Sequence, residues 1–178
     1  MTPVLIAEYK RKSPWAGNIS SEKLTDAIKR FEDYGAAGIS IIVESAWGGS
    51  LADLFVARRS TDLPILVKGL DYDIERAAEM GADICLTFGG PHATVPSLVE
   101  VTTVRETRRA LRLGAKAILT NNRDLQTGMV DMGRSAHLAG WIPPEVLHVA
   151  ASGYSSSAQA PKKADAVLIG AAMMNMPH

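Results

Sequence analysis

Glu8 and Lys10 stand two residues apart where the apolar run Leu5-Ile6-Ala7 ends. Successive side chains of a strand point to opposite sides, so this acid and this amine share one face while Ala7 and Tyr9 take the other. An ammonium beside a carboxylate can give up a proton and reclaim it, which acid–base catalysis requires. An edge strand with solvated charges fits the same residues, and the stretch alone leaves both readings open. Further along, Glu44, Lys68, Glu100, Asn121 with Arg123, Ser152-Gly153 and Gly170 also fall at the ends of apolar runs. Two lysines and two or three carboxylates gathered in one place shift one another's pKa values, giving a general acid and a general base near neutral pH. Singly, each has a plain structural reading: Lys10 and Lys68 reach solvent, Glu100 sits on a rim, and Asn121 caps a turn. Glycines that follow strands commonly do no more than end them.

The elements that must position these residues follow from the periodicity. After the opening strand, strands are expected over 38–43, 64–68, 84–88, 97–101, 116–120, 146–151 and 166–169. A helical stripe of Leu24, Ala27, Ile28, Phe31 and Tyr34 is expected to take its N-cap from the Ser20-Ser21 pair. Ser50 is expected to cap a short helix, and further helices are expected over 71–80, 104–113 and 132–139. Gly35-Ala36, Gly81-Ala82 and Gly114-Ala115 each end a helix and launch a strand, and Lys163-Ala164-Asp165-Ala166 echoes the device. Such a repeat marks βα units. Eight strands separated mostly by helices predict a parallel (β/α)8 barrel, with its active face at the strands' C-terminal ends. The alternative is an open doubly wound sheet. Its Gly-rich dinucleotide loop is missing, because Lys10-Arg11-Lys12-Ser13-Pro14 follows the first strand. In a barrel, Ser152-Gly153 and Gly170-Ala171 follow strands seven and eight, where backbone N–H groups bind phosphate.

The chain of 178 residues is expected to form a single domain over 1–178. Hydrophobic residues make up 47%, charged residues 21%, and the formal net charge is +0, which argues against disorder and against nucleic acid as a partner. Cys85 lies in an apolar run and reads as a small buried hydrophobe. His92, His137, His148 and His178 show no ligand spacing, so no metal is expected. Trp15, Trp47 and Trp141 are expected to cover apolar surface, with Trp47 also placed to flank an aromatic substrate. No leader-like segment and no membrane-length apolar run are seen, and a cytoplasmic location without membrane association is expected.

Several blocks together carry a family resemblance: Ile6-Ala7-Glu8-Tyr9-Lys10-Arg11-Lys12-Ser13-Pro14, Gly49-Ser50-Leu51-Ala52-Asp53-Leu54, Pro64-Ile65-Leu66-Val67-Lys68, Leu98-Val99-Glu100-Val101, Asn121-Asn122-Arg123-Asp124-Leu125, Ala151-Ser152-Gly153 and Leu168-Ile169-Gly170. In this order the chain resembles indole-3-glycerol phosphate synthase nearly end to end. The resemblance implies closure of 1-(2-carboxyphenylamino)-1-deoxyribulose 5-phosphate to indole-3-glycerol phosphate in tryptophan biosynthesis, with loss of carbon dioxide and water. It implies no cofactor and no metal. By the same resemblance Lys68 is the general acid, Glu100 its acid/base partner in dehydration, and Lys10 a lysine that contacts phosphate and takes part in proton transfer, held by Glu8. Asn121 orients sugar hydroxyls and Arg123 faces the anthranilate carboxylate. Ser13, Ser152, Gly153, Gly170 and Ala171 complete the substrate-binding set.

The chain also departs from that pattern. Ala151 stands where the family has Glu, and Gly69-Leu70 follows Lys68 where the family has Asp-Phe. The family's N-terminal helical extension is missing, residues 89–96 leave little room for a helix after strand four, and almost no eighth helix follows Gly170. A reduced barrel is therefore expected, with a homo-oligomer or partner covering the uncovered strands, or else marginal stability. Three functions stay open: the ring-closing lyase, a diverged barrel enzyme acting on another phosphosugar, and a non-catalytic phosphosugar- or partner-binding relative.

Overall fold

The computed structural model describes residues 2–177. Eight of its strands close a barrel: β1 (Val4–Tyr9), β4 (Gly38–Ile42), β5 (Ile65–Lys68), β6 (Ile84–Phe88), β7 (Ser97–Val101), β8 (Ala117–Asn121), β9 (Leu147–Ala151) and β10 (Ala166–Ile169). The order around it is β1-β10-β9-β8-β7-β6-β5-β4, so the (β/α)8 expectation holds and the open sheet is excluded. Two further two-residue strands, β2 (Lys12–Ser13) and β3 (Gly17–Asn18), pair antiparallel in a hairpin that hydrophobic periodicity cannot register. The barrel is reduced as expected. Residues 89–96 hold no helix, and the helix after β10, α6 (Ala171–Met174), has four residues.

Two compact units divide the chain. The first comprises Leu5–Cys85 and the segment from Gly170 onward. In it β1 pairs parallel with β4, and β4 with β5, placing Glu8 opposite Ser40 and Ile42 opposite Lys68. Helix α1 (Leu24–Asp33) buries Leu24, Ala27, Ile28 and Phe31, the stripe expected from spacing, while Tyr34 is exposed and donates its hydroxyl to Pro177 O. Its N-cap is Lys23 rather than a serine. Ser20 Oγ instead accepts from Glu22 N, and Glu22 is drawn to Arg30 at 2.6 and 3.1 Å. That buried guanidinium also donates to Met173 O, a long-range demand that outweighs a local cap.

Ser50 does cap α2 (Leu51–Arg58), in a capping box with Asp53. Asp53 has a second task. It accepts two hydrogen bonds from Arg11 at 2.7 and 2.8 Å, and Arg11 also donates to Gly48 O. This fork ties the segment after β1 to the start of α2. Asp53→Ala removes both the fork and the box, and is expected to lower unfolding free energy by about 1–2 kcal/mol, read from the urea midpoint at unchanged slope.

The second unit comprises Leu86–Ile169 and the segment up to Val4. Here β7, β8, β9 and β10 pair parallel in sequence order. Val99, Val101 and Ile118 pack with Ala110 of α4 (Val104–Arg112) and Leu138 of α5 (Gly133–Leu138). Because side chains alternate along a strand, Leu98 and Glu100 take the opposite face of β7. Gly35, Gly81 and Gly114 all have positive φ, which explains the repeated Gly-Ala helix ends. Cys85 is fully buried, as read from sequence, and burial pushes its thiol pKa up. Trp15 and Trp141 are 43% and 40% exposed, and Arg108 lies 4.2 Å over the Trp141 ring. Among the described residues no helix is long and apolar enough to cross a membrane.

Candidate active site

In the first unit the alternation of β1 brings Glu8 and Lys10 to one side, and the register of β4 and β5 adds Ser40 and Lys68. Glu8 is 3% exposed, and its carboxylate takes three partners: Lys10 Nζ at 3.4 Å, Lys68 Nζ at 3.3 Å and Ser40 Oγ at 3.5 Å. Burial alone drives a carboxyl pKa upward. Here the two ammonium charges outweigh it, and the Glu8 pKa is held below the ordinary glutamate range. The Lys10 and Lys68 side chains are 24% and 17% exposed, far more than the carboxylate they share. Gly170 lies beside them: a Cβ there would come within 2.7 Å of Glu8 Oε1, so a side chain at this position would displace the carboxylate. Ala171 opens the short α6. Glu44 joins no such group; its carboxylate accepts from Leu70 N at 3.3 Å.

The second unit holds a separate hydrogen-bonded set. Glu100, at the end of β7, accepts from Asn121 Nδ2 at 2.7 Å. Asn121, at the end of β8, accepts on Oδ1 from Ser152 Oγ at 2.7 Å and from Arg123 N at 2.9 Å. A backbone N–H can only donate, so the orientation of the Asn121 amide is determined and its N–H must face Glu100. Glu100 and Asn121 are both buried. Ser152 follows β9 with φ +71° and Gly153 with φ +85°, a left-handed pair that turns the chain and aims the Ser152 hydroxyl at Asn121.

Spacing could not reveal every partner. Ser40, a serine in an apolar strand, gave no sequence signal of its own, and neither did Ser152 as the group that orients Asn121. Arg123 does not join this set through its side chain, which donates to Gly128 O at 2.7 Å within its own loop. Ser13 lies in the β2–β3 hairpin, where Oγ accepts from Trp15 N. Ala151 is buried and leaves no carboxylate at the end of β9. Among the described residues no group of three or more His, Cys, Asp or Glu side chains could hold a metal ion; His178 lies outside them.

A closed parallel barrel with buried acid–amine and acid–amide groups at the C-terminal ends of its strands defines the class, a (β/α)8-barrel protein. Within that class the chain belongs to the indole-3-glycerol phosphate synthase family, whose profile matches residues 1–89 and 92–178. It is 36% identical over 197 residues to the indole-3-glycerol phosphate synthase of Micrococcus luteus, covering 96% of this chain and 72% of that protein. It is 37% identical over 191 residues to that of Mycobacterium ulcerans, covering 93% and 70%. Among solved structures, a thiamine phosphate pyrophosphorylase from Pyrococcus furiosus superposes with a TM-score of 0.70 at 15% identity, covering 98% of this chain and 89% of that one. The N-acetylmannosamine-6-phosphate 2-epimerase from Clostridium perfringens gives 0.68 at 13% identity, covering 96% and 87%. At such identities these two speak for the fold alone.

Proposed function

We propose that the protein is a lyase that closes 1-(2-carboxyphenylamino)-1-deoxyribulose 5-phosphate to indole-3-glycerol phosphate, in the cytoplasm and as a step of tryptophan biosynthesis. The observation that carries this reading is the buried Glu8 carboxylate held between Lys10 and Lys68 at barrel strand ends, in a chain of this family. Lys68 protonates the sugar carbonyl oxygen while the aromatic ring carbon that bears the carboxylate attacks the carbonyl carbon. The ring carboxylate then leaves as carbon dioxide. Glu100, oriented by Asn121, takes a proton from the neighbouring CH2 carbon while Lys10 gives one to the departing hydroxyl, which leaves as water. Lys10 contacts the phosphate and moves a proton, and Glu8 holds both lysines in place through its two ion pairs. Ser152, Gly153, Gly170 and Ala171 contact the phosphate, Arg123 the carboxylate of the aromatic ring, and Ser13 the substrate from the hairpin.

The test is direct: purified protein with this substrate, indole fluorescence as readout. Ala151 favours one further reading, a family member working on a different phosphosugar, because an alanine occupies the family's carboxylate position. Ala151→Glu separates the two. Under the first reading it raises kcat/KM by about tenfold or more, the scale of a regained acid/base group, at a stability cost of about 1–3 kcal/mol for burying a carboxyl. No gain, together with turnover of another phosphosugar, supports the second.

A further inference from the structure

Helix α4 carries Arg105, Arg108, Arg109 and Arg112 in nine residues of a chain with no net charge. Arg105, Arg109 and Arg112 follow the i, i+4, i+7 spacing of a single helix face. Arg108 faces elsewhere and stacks 4.2 Å over the Trp141 ring. The three-arginine face lines a cavity of about 480 Å³, a size that admits a small molecule. Phe88 and Leu125 supply apolar lining, and the rim beside Gly89 is residues 89–96, which hold no helix. Arg109 Nη2 lies 4.0 Å from where a Cβ on Gly89 would sit, so the guanidinium meets bare backbone.

Two carboxylates also line the cavity, and neither is paired with these arginines. Glu106 is occupied by Thr102 N, Thr102 Oγ1 and Thr103 N, and Glu100 by Asn121. Among the described residues no ion pair involves Arg105, Arg109 or Arg112. Three arginines against two carboxylates leave the hollow with an excess of positive charge and three guanidinium groups outside any ion pair among the described residues, and a guanidinium matches phosphate or carboxylate oxygens in pairs.

We propose that this groove binds a small molecule that joins an anionic head, phosphate or carboxylate, to an apolar body. Arg105, Arg109 and Arg112 hold the head, and Phe88 and Leu125 cover the body. Binding itself does not depend on the proposed ring closure. Any effect on turnover does, because it acts through Glu100, which shares the lining.

Calorimetric titration with phenyl phosphate tests this, with phenol and inorganic phosphate as the two halves of the probe. Phenyl phosphate is expected to bind at least tenfold more tightly than either half. Arg105→Gln and Arg109→Gln are each expected to weaken it roughly tenfold, the scale of one lost charge-assisted contact, whereas Arg108→Gln leaves it unchanged. No binding at millimolar concentration overturns the proposal. So does equal weakening by Arg108→Gln, or binding that Lys10→Met abolishes and Arg109→Gln spares. Indole fluorescence on the parent protein is recorded separately, so failure of the ring-closing reading is told apart from failure of this one.

Discussion

Lys68→Ala is expected to lower kcat for indole-3-glycerol phosphate formation by a factor on the order of 10²–10⁴ while leaving the protein folded, the range for loss of a positioned general acid. The loss should fall on kcat rather than KM, because the proton is needed where the carbonyl oxygen gains charge and not for binding. Folding should survive. Without Lys68, Glu8 keeps Lys10 and Ser40 as partners, so no carboxylate is stranded. The variant is best made both in the natural chain and in Ala151→Glu, where a higher starting rate widens the range. A rate within tenfold of the parent, from protein with unchanged circular dichroism, would sink the assignment of Lys68 as acid.

Glu8→Ala strikes the other side of the same group and should show first in stability. It leaves two ammonium groups facing one another with no carboxylate between them. Removing one partner of a fully buried pair costs about 3–5 kcal/mol; since both lysines are partly hydrated, about 2–3 kcal/mol is expected here, read as a lower urea midpoint. The pH dependence has a definite sign. Glu8's folded pKa lies below its unfolded value, so its contribution is fully present above the unfolded pKa of about 4.3 and is lost as pH falls through the lower folded pKa. Glu8→Gln should therefore have a shallower acid limb below about pH 4.3 than the parent. Parallel limbs would mean that Glu8 is not the group the lysines hold charged.

Much of this protein was legible from spacing because the relevant contacts are local. The stripe from Leu24 to Phe31, the box of Ser50 and Asp53, and the glycines that close helices all act within a few residues. Glu8 and Lys10 belong with them, since strand alternation alone sets them side by side. The Ser20-Ser21 cap failed for the opposite reason. Its neighbour Glu22 answers to Arg30, and Arg30 answers also to Met173, far along the chain. The contact of the Arg123 guanidinium with Gly128 O in its own loop was likewise not written in the spacing.

By itself the sequence determined the order of strands and helices, the closing of the barrel and the residues at strand ends, because periods of two and of 3.6 residues are written in neighbouring positions. Only the tertiary structure decided which of those residues meet. Lys68 joins Glu8 through the register of β4 against β1 and β5, and Ser152 turns the Asn121 amide toward Glu100 from 31 residues away. Arg11 finds Asp53 across 42 residues in the same way. Register and chain reversal set these meetings, and a one-residue slip in either would send each side chain to the opposite face.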